Sequence, residues 1–346
     1  MVEGYYINLI MSSYYQKTDK STNFQTIREV IKIEFKRLTE IPPLNPSLPV
    51  KVTEMGNVLE VQYMSRRNGK QTIKMLEGGD TFLVCSTGEI KQVQHHETRK
   101  DNKKGLYKTF AKIRALINAN VVDVSKVRWC TLTYEENMRD AEVLYEDFRK
   151  FNQRFQYYCE RKGYGKPEYI VVMEPQGRGA WHAHLLYIWN DMQAPYIANE
   201  DLRSLWGHGF VRIKKLDNID NVGAYLTAYL GDMEVSEVDL REWGEIERDV
   251  TGVKVIDDVD DEGKPVKKQV LKGARLHLYP ANFNMFRCSR GVRKPTVEMM
   301  SQEEANKKVL GAAKTFESAI KLVDSDGDFE TVIVKKHYNK LRRMCQ

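Results

Sequence analysis

An α+β fold, an antiparallel sheet with helices packed on it, is what this sequence predicts, from three observations. Strand-like and helix-like segments alternate between Val127 and Asp232. Two of the strands are joined by a turn too short for anything but an antiparallel hairpin. The segment Asn137 to Lys162 carries an apolar stripe at helical spacing.

The elements of that region follow in order. VRWCTLTY (Val127–Tyr134) is rich in β-branched and aromatic residues and reads as a strand. The helix over Asn137 to Lys162 aligns Ala141, Leu144, Phe148, Phe151, Phe155 and Cys159, and Gly163 and Gly165 stop it. EYIVVMEPQ and AWHAHLLYIW are strands joined through Gly177, Arg178 and Gly179, whose glycines suit a hairpin turn. GFVRIKKL is a further strand, IDNVGAYLTAYLGDM a helix opened by Asp220 or Asn221, and ARLHLYP another strand.

The flanks are simpler. Residues 1–85 form an N-terminal accessory region: a helix from about Asn23 to Leu38, the break IPPLNPSLP, then strands in VLEVQYM and TFLVCS. From Gln92 to Asn120 runs a basic, partly helical stretch with Phe110, Ile113, Leu116 and Ile117 at helical spacing. Residues 232–262 are an acidic insertion leaving through a surface loop at Gly263-Lys264-Pro265. Residues 296–346 form a basic helical tail, with a helix from Glu303 to Val323.

Composition narrows the class. With 42% hydrophobic and 10% aromatic residues over 346 positions the chain can fill a core. Cys85, Cys130, Cys159, Cys288 and Cys345 show no CxxC spacing, which disfavours a disulfide framework or a zinc ribbon. No secretory leader is visible and no apolar run approaches the roughly 20 residues of a membrane span, so a cytoplasmic location is expected. The net charge of +6 conceals an uneven distribution, because thirteen acids between Asp232 and Glu262 face only Arg241, Arg248 and Lys254. The rest of the chain is correspondingly basic and suits a polyanion. No GxxxxGK[ST] occurs, so there is no P-loop helicase motif.

Chemistry concentrates in two places. In Trp181-His182-Ala183-His184-Leu185 the histidines are two apart on a strand, so both imidazoles leave the same face. If the hairpin turns about Arg178, Glu174 lies opposite His182 on that face. Two imidazoles and a carboxylate make a three-ligand site with open positions, and with no thiolate nearby Mg²⁺ or Mn²⁺ fits better than structural zinc. Tyr225 and Tyr229, four apart on a helix, point to one side. A phenolate there can attack a metal-bound phosphodiester and leave a 5′-phosphotyrosine. Tyr225 is the first choice, being nearer the capped end of its helix.

Three blocks in this order carry a resemblance. Cys130-Thr131-Leu132-Thr133, Trp181-His182-Ala183-His184-Leu185 and Tyr225-Leu226-Thr227-Ala228-Tyr229 resemble the three motifs of rolling-circle replication initiators of the HUH endonuclease superfamily, in particular those of plasmids and phages of Gram-positive bacteria. The resemblance covers residues 86–295, which it marks as a nuclease domain. It implies a five-stranded antiparallel sheet with a divalent metal on its central strands and the tyrosine helix alongside. It also implies metal-dependent nicking and rejoining of single-stranded origin DNA, presented in a hairpin, with helicase and polymerase supplied by the host. Many members carry Tyr-x-x-Lys; Ala228 and Asp232 stand at the corresponding places, so Lys214 or Lys215 is the candidate for the missing cation. Thr131 and Thr133 are expected to hold the sheet and touch DNA backbone, and His208 to be structural. Arg99, Lys103, Lys104, Arg290 and Arg293 are the expected phosphate contacts. The same chemistry serves mobilisation relaxases and single-strand transposases, and a non-catalytic origin-binding protein is the alternative from another class.

Overall fold

The structure is a computed structural model that describes residues 33–342 apart from 68–72, 86, 94–102, 218, 228–232, 235–252, 260–264, 272–274, 276–277, 281–282 and 325–328. The chain divides into two units. One comprises Met1–His96, Asn102–Lys108 and Pro295–Gln346, the other Glu97–Asp101 and Thr109–Lys294.

The first unit begins with β1 (Ile33–Leu38), β2 (Val50–Met55) and β3 (Val58–Met64), then a small meander of β4 (Ile73–Met75), β5 (Thr81–Val84) and β6 (Ile90–Gln92). Helix α1 (Lys103–Asn120) follows. In the second unit come β7 (Val127–Tyr134), α2 (Ala141–Arg161), β8 (Glu168–Pro175), β9 (Trp181–Ile188), α3 (Asn199–Trp206), β10 (Gly209–Lys214) and α4 (Val222–Thr227). Strands β11 (Met233–Glu234), β12 (Val253–Val259) and β13 (Pro265–Leu271) make a separate sheet, and β14 (Phe286–Cys288) closes the unit. The chain then returns to the first unit with β15 (Thr296–Met300), α5 (Gln302–Val309), β16 (Ala313–Asp324) and β17 (Glu330–Asn339).

The second unit is built on a five-stranded sheet in the order β10-β7-β9-β8-β14, antiparallel throughout. Its two faces differ because strand residues alternate. On one face Cys130, Leu132, Val171, Met173, Ala183, Leu185 and Tyr187 are buried, and α2 brings Leu144, Phe148, Phe151, Phe155 and Cys159 into its own buried stripe. Phe155 stacks on Tyr187 with ring centroids 4.1 Å apart, and the Tyr187 hydroxyl donates to Asn152 Oδ1 at 3.1 Å. Asp140 caps α2 by accepting from the backbone of Glu142 and Val143. The other face is apolar at one end only, where Val127, Ile170, Val172, Leu186 and Ile188 pack with Ile113, Leu116 and Ile117 of α1 and Val222 of α4. The residues continuing the same face are Thr131, Thr133, Glu174, His182 and His184, so the core ends where the polar residues begin.

In the first unit, strands that precede and follow the second unit in sequence share one six-stranded antiparallel sheet, ordered β1-β16-β17-β3-β2-β15. One face buries Val50, Val52, Leu59, Tyr63, Ala319 and Val334 against Ala305 and Val309 of α5. Ser301 opens that helix with a capping box to Glu304. On the opposite face Lys335, 1% exposed, stands beside Gln62 in register and sets its Nζ 2.7 Å from Glu60 Oε2, which His337 Nε2 approaches to 3.2 Å.

Several expectations are corrected. Residues 33–38, expected as the end of a helix, are strand β1: the alternation Ile33-Glu34-Phe35-Lys36 serves a strand as well as a helix, and pairing with β16 decides it. The remainder of that helix, Asn23 to Lys32, lies outside the described residues. The tail is not helical throughout, since α5 ends at Val309, Gly311 takes a positive φ of 82° and residues from Ala313 onward pair on both sides as β16. The described part of the acidic insertion is not a loop, for β12 pairs with β13 and places Asp257 opposite Lys267 in register. ARLHLYP contains no strand among its described residues; the Leu278 N–H turns back to the Arg275 carbonyl, and the fifth strand is β14 instead.

Candidate metal centre and tyrosine helix

The β8–β9 hairpin creates the polar end of the sheet. Gln176 and Ala180 close its turn by a backbone hydrogen bond of 2.8 Å, and Gly179 supplies a φ of 84°. Arg178 lies at the centre, and the register sets Glu174 opposite His182. Glu174 Oε1 stands 2.9 Å from His182 Nε2 and 3.0 Å from His184 Nε2. One ligand atom from each of these residues lies within 4.8 Å of the other two.

The donor set fits a hard divalent ion. Neighbouring ligands about 2.1 Å from an octahedral ion are about 3 Å apart, which is the spacing from the carboxylate oxygen to each imidazole. Glu174 Oε2 is buried and has no hydrogen-bond partner among the described residues, so the carboxylate retains an unused acceptor. Burial pushes the Glu174 carboxyl up, but the Arg275 charge and hydrogen bonds from His182 and His184 outweigh it and hold the group well below the carboxylate range. Burial, reinforced by neighbouring His184, brings His182 down to about 4, so its imidazole is neutral near pH 7, as a ligand must be. Arg275, itself buried, donates from Nη1 to Glu174 Oε1 and to the Pro175 carbonyl, each at 3.4 Å.

His184 is also held from behind, since its Nδ1 lies 3.3 Å from Thr131 Oγ1. Thr131 sits opposite His184 in register, and Thr133 opposite His182. Trp129 Nε1 donates to the same Thr131 oxygen at 3.2 Å.

The tyrosine helix reaches this face by docking on α1. Asn221 caps α4 by accepting from the Ala224 N–H at 2.9 Å. The Gly223 N–H donates to Asn118 Oδ1, and Arg114 Nε donates to Thr227 Oγ1 at 3.2 Å. These bonds bring the Tyr225 ring to 5.9 Å from the Trp129 ring, edge to face. Trp129 in turn lies 5.7 Å from the His184 ring, also edge to face.

Residues 127–234 match the model of a family described as replication-associated protein ORF2. The match supports a rolling-circle replication protein. A search among curated proteins finds no match. The replication-associated segment runs from β7 to β11 and so contains both histidines and Tyr225.

Other expected site residues fall as follows. Tyr229 and Arg99 lie outside the described residues. Lys103 and Lys104 open α1. Lys214 sets its Nζ 5.4 Å from the Trp129 ring, on the side of the sheet that carries the histidines, whereas Lys215 is exposed beyond the end of β10. Arg290 and Arg293 are exposed, and the Arg293 backbone is clamped by Asn120 through bonds of 2.8 and 2.9 Å. His208 faces away from the triad, with its Nε2 3.5 Å from Asp147 on α2. Sequence reasoning misses Trp129, Asn118, Arg114 and Arg275. All four act across long sequence separations, and only Trp129, next to the first block, could have been found from a motif.

Proposed function

We propose that this chain initiates rolling-circle DNA replication by nicking one DNA strand and remaining attached to its 5′ end. The observation that carries the reading is the placement of Tyr225 one aromatic ring away from His184 in the Glu174–His182–His184 cluster. A divalent ion, Mg²⁺ or Mn²⁺, held by these three residues would polarise a non-bridging phosphate oxygen. Glu174, kept ionised by Arg275, supplies the negative charge of the ligand set, and Thr131 orients the His184 imidazole.

Tyr225 is the nucleophile in this scheme. Its phenolic oxygen attacks phosphorus and gives up its proton while the bond to the 3′-oxygen breaks and that oxygen gains one. The product is a 5′-phosphotyrosine and a free 3′-hydroxyl, so no water is consumed and the strand can be rejoined. Single-stranded origin DNA is the substrate, with Lys214 and the exposed Arg290 and Arg293 as phosphate contacts and host helicase and polymerase completing replication. Tyr229, four residues on, would serve a second transfer.

The test incubates the full chain with Mn²⁺ and a randomised single-stranded DNA library and separates products on a denaturing gel. A covalent adduct that requires the metal is expected from wild type, and recovery of its DNA identifies the cleaved sequence. An adduct that persists in the Tyr225→Phe/Tyr229→Phe double variant would show that the nucleophile is elsewhere; no adduct from wild type would favour a non-catalytic DNA-binding role.

A further inference from the structure

Trp129 touches four functional neighbours at once, and no part of the nicking scheme uses it. It lies on β7, two residues before Thr131, on the face that carries the histidines, and opposite Leu186 and Lys214 in register. Its ring meets the His184 ring at 84° and the Tyr225 ring at 77°. Its Nε1 donates to Thr131 Oγ1, and the Lys214 ammonium sits over its face. We infer that Trp129 is a positioning residue for strand transfer, an indole wall that fixes where Tyr225 stands relative to His184. The inference rests on the nicking reading above.

Three physical points support it. The indole is rigid, because it packs against the buried cluster that joins α1, α4 and the sheet, and the bond to Thr131 fixes its remaining edge. The aromatic contacts are directional, since edge-to-face pairs set both distance and tilt. A flat ring touching both groups therefore transmits the geometry of the sheet to a tyrosine carried on a different element. Finally, Thr131 Oγ1 receives the Trp129 N–H on one lone pair and has another for His184 Nδ1–H. That arrangement favours the tautomer whose Nε2 lone pair faces the cluster. The Lys214 cation on the indole face lies on the same side and adds positive charge near the phenol that must lose a proton.

In-line attack is sensitive to placement, and a 1 Å error can cost about 100-fold in rate. Replacing Trp129 by leucine should therefore slow adduct formation at saturating DNA and Mn²⁺ by about 30- to 100-fold. Thr131 keeps its own contact with His184 in that variant, so affinity for Mn²⁺ and for the cleaved oligonucleotide should each change by less than about threefold. Trp129→Phe, which restores a ring without the N–H, should recover most of the rate.

The experiment uses the full chain and the oligonucleotide recovered from the library. It measures single-turnover adduct formation, oligonucleotide affinity by anisotropy and Mn²⁺ affinity by electron paramagnetic resonance. A Trp129→Leu rate equal to wild type overturns the inference, and so does a loss confined to DNA affinity or one that phenylalanine does not rescue. If Trp129→Leu does not fold, Trp129→Met against Trp129→Phe gives the same comparison. Wild-type protein that forms no adduct would overturn the nicking reading together with this inference, whereas an active wild type leaves only the variants to judge Trp129.

Discussion

Gly223 donates its backbone N–H to Asn118 Oδ1 at 2.8 Å, and a Cβ on that glycine would stand 2.5 Å from the Arg114 carbonyl oxygen and 2.6 Å from Asn118 Oδ1. The tyrosine helix thus lies against α1 at a separation that only glycine permits.

Gly223→Ala should force the two helices apart. Overpacking of this kind costs about 1–3 kcal/mol, measurable by urea denaturation. The shift also moves Tyr225, so adduct formation should fall further than the decrease in folded protein accounts for. A variant that nicks at the wild-type rate would show that this contact does not place the tyrosine.

The three proposed ligands should be separable from the fold. His182→Ala and His184→Ala should each weaken Mn²⁺ binding by about tenfold or more in calorimetric titration and nearly abolish adduct formation, with far-ultraviolet dichroism unchanged. A chelator should have the same effect on wild-type activity. Equal Mn²⁺ affinity in His184→Ala and wild type would exclude the cluster as the metal centre.

Glu60 makes the first unit sensitive to acid. Burial pushes its carboxyl up, yet the Lys335 charge and the His337 hydrogen bond bring it down to about 2. A carboxyl depressed by folding contributes stability that is complete above its unfolded value, near 4.5, and is lost as pH falls toward 2. The gap corresponds to on the order of 3 kcal/mol. Glu60→Gln should therefore be much less stable than wild type at pH 7, and the difference should shrink as pH falls from 4.5 toward 2 in denaturant titrations. A difference independent of pH would show that the Glu60 charge is not what matters.

Neutralising Arg99, Lys103, Lys104, Arg290 and Arg293 together should flatten the salt dependence of single-strand binding, by about 0.7 in the log–log slope for each phosphate no longer neutralised. An unchanged slope would place the DNA elsewhere.

The hairpin was the most legible part of the sequence. Once its turn is centred on Arg178, the twofold repeat of a strand places Glu174 opposite His182 without further information, and the register has this pairing. The α2 stripe was legible for a similar reason, since Leu144, Phe148, Phe151, Phe155 and Cys159 repeat at helical spacing along one face. Residues 313–323 were not, because a segment such as Phe316-Glu317-Ser318-Ala319-Ile320 satisfies a helix or a strand until its partners β1 and β17 are known. Arg275 was illegible for another reason: its contact with Glu174 joins positions 101 residues apart and leaves no local pattern.

The six-stranded sheet also imposes an order on the birth of the molecule. β3 must wait for β17, as Met64 pairs with Ile333, and all of the replication-associated segment is synthesised in between. At about 5–20 residues per second that interval lasts tens of seconds. The ribosome therefore delivers every strand of the five-stranded sheet before β17 emerges, and the exposed edge of the nascent β2–β3 hairpin is the point at which a chaperone or an aggregating neighbour would first find this chain.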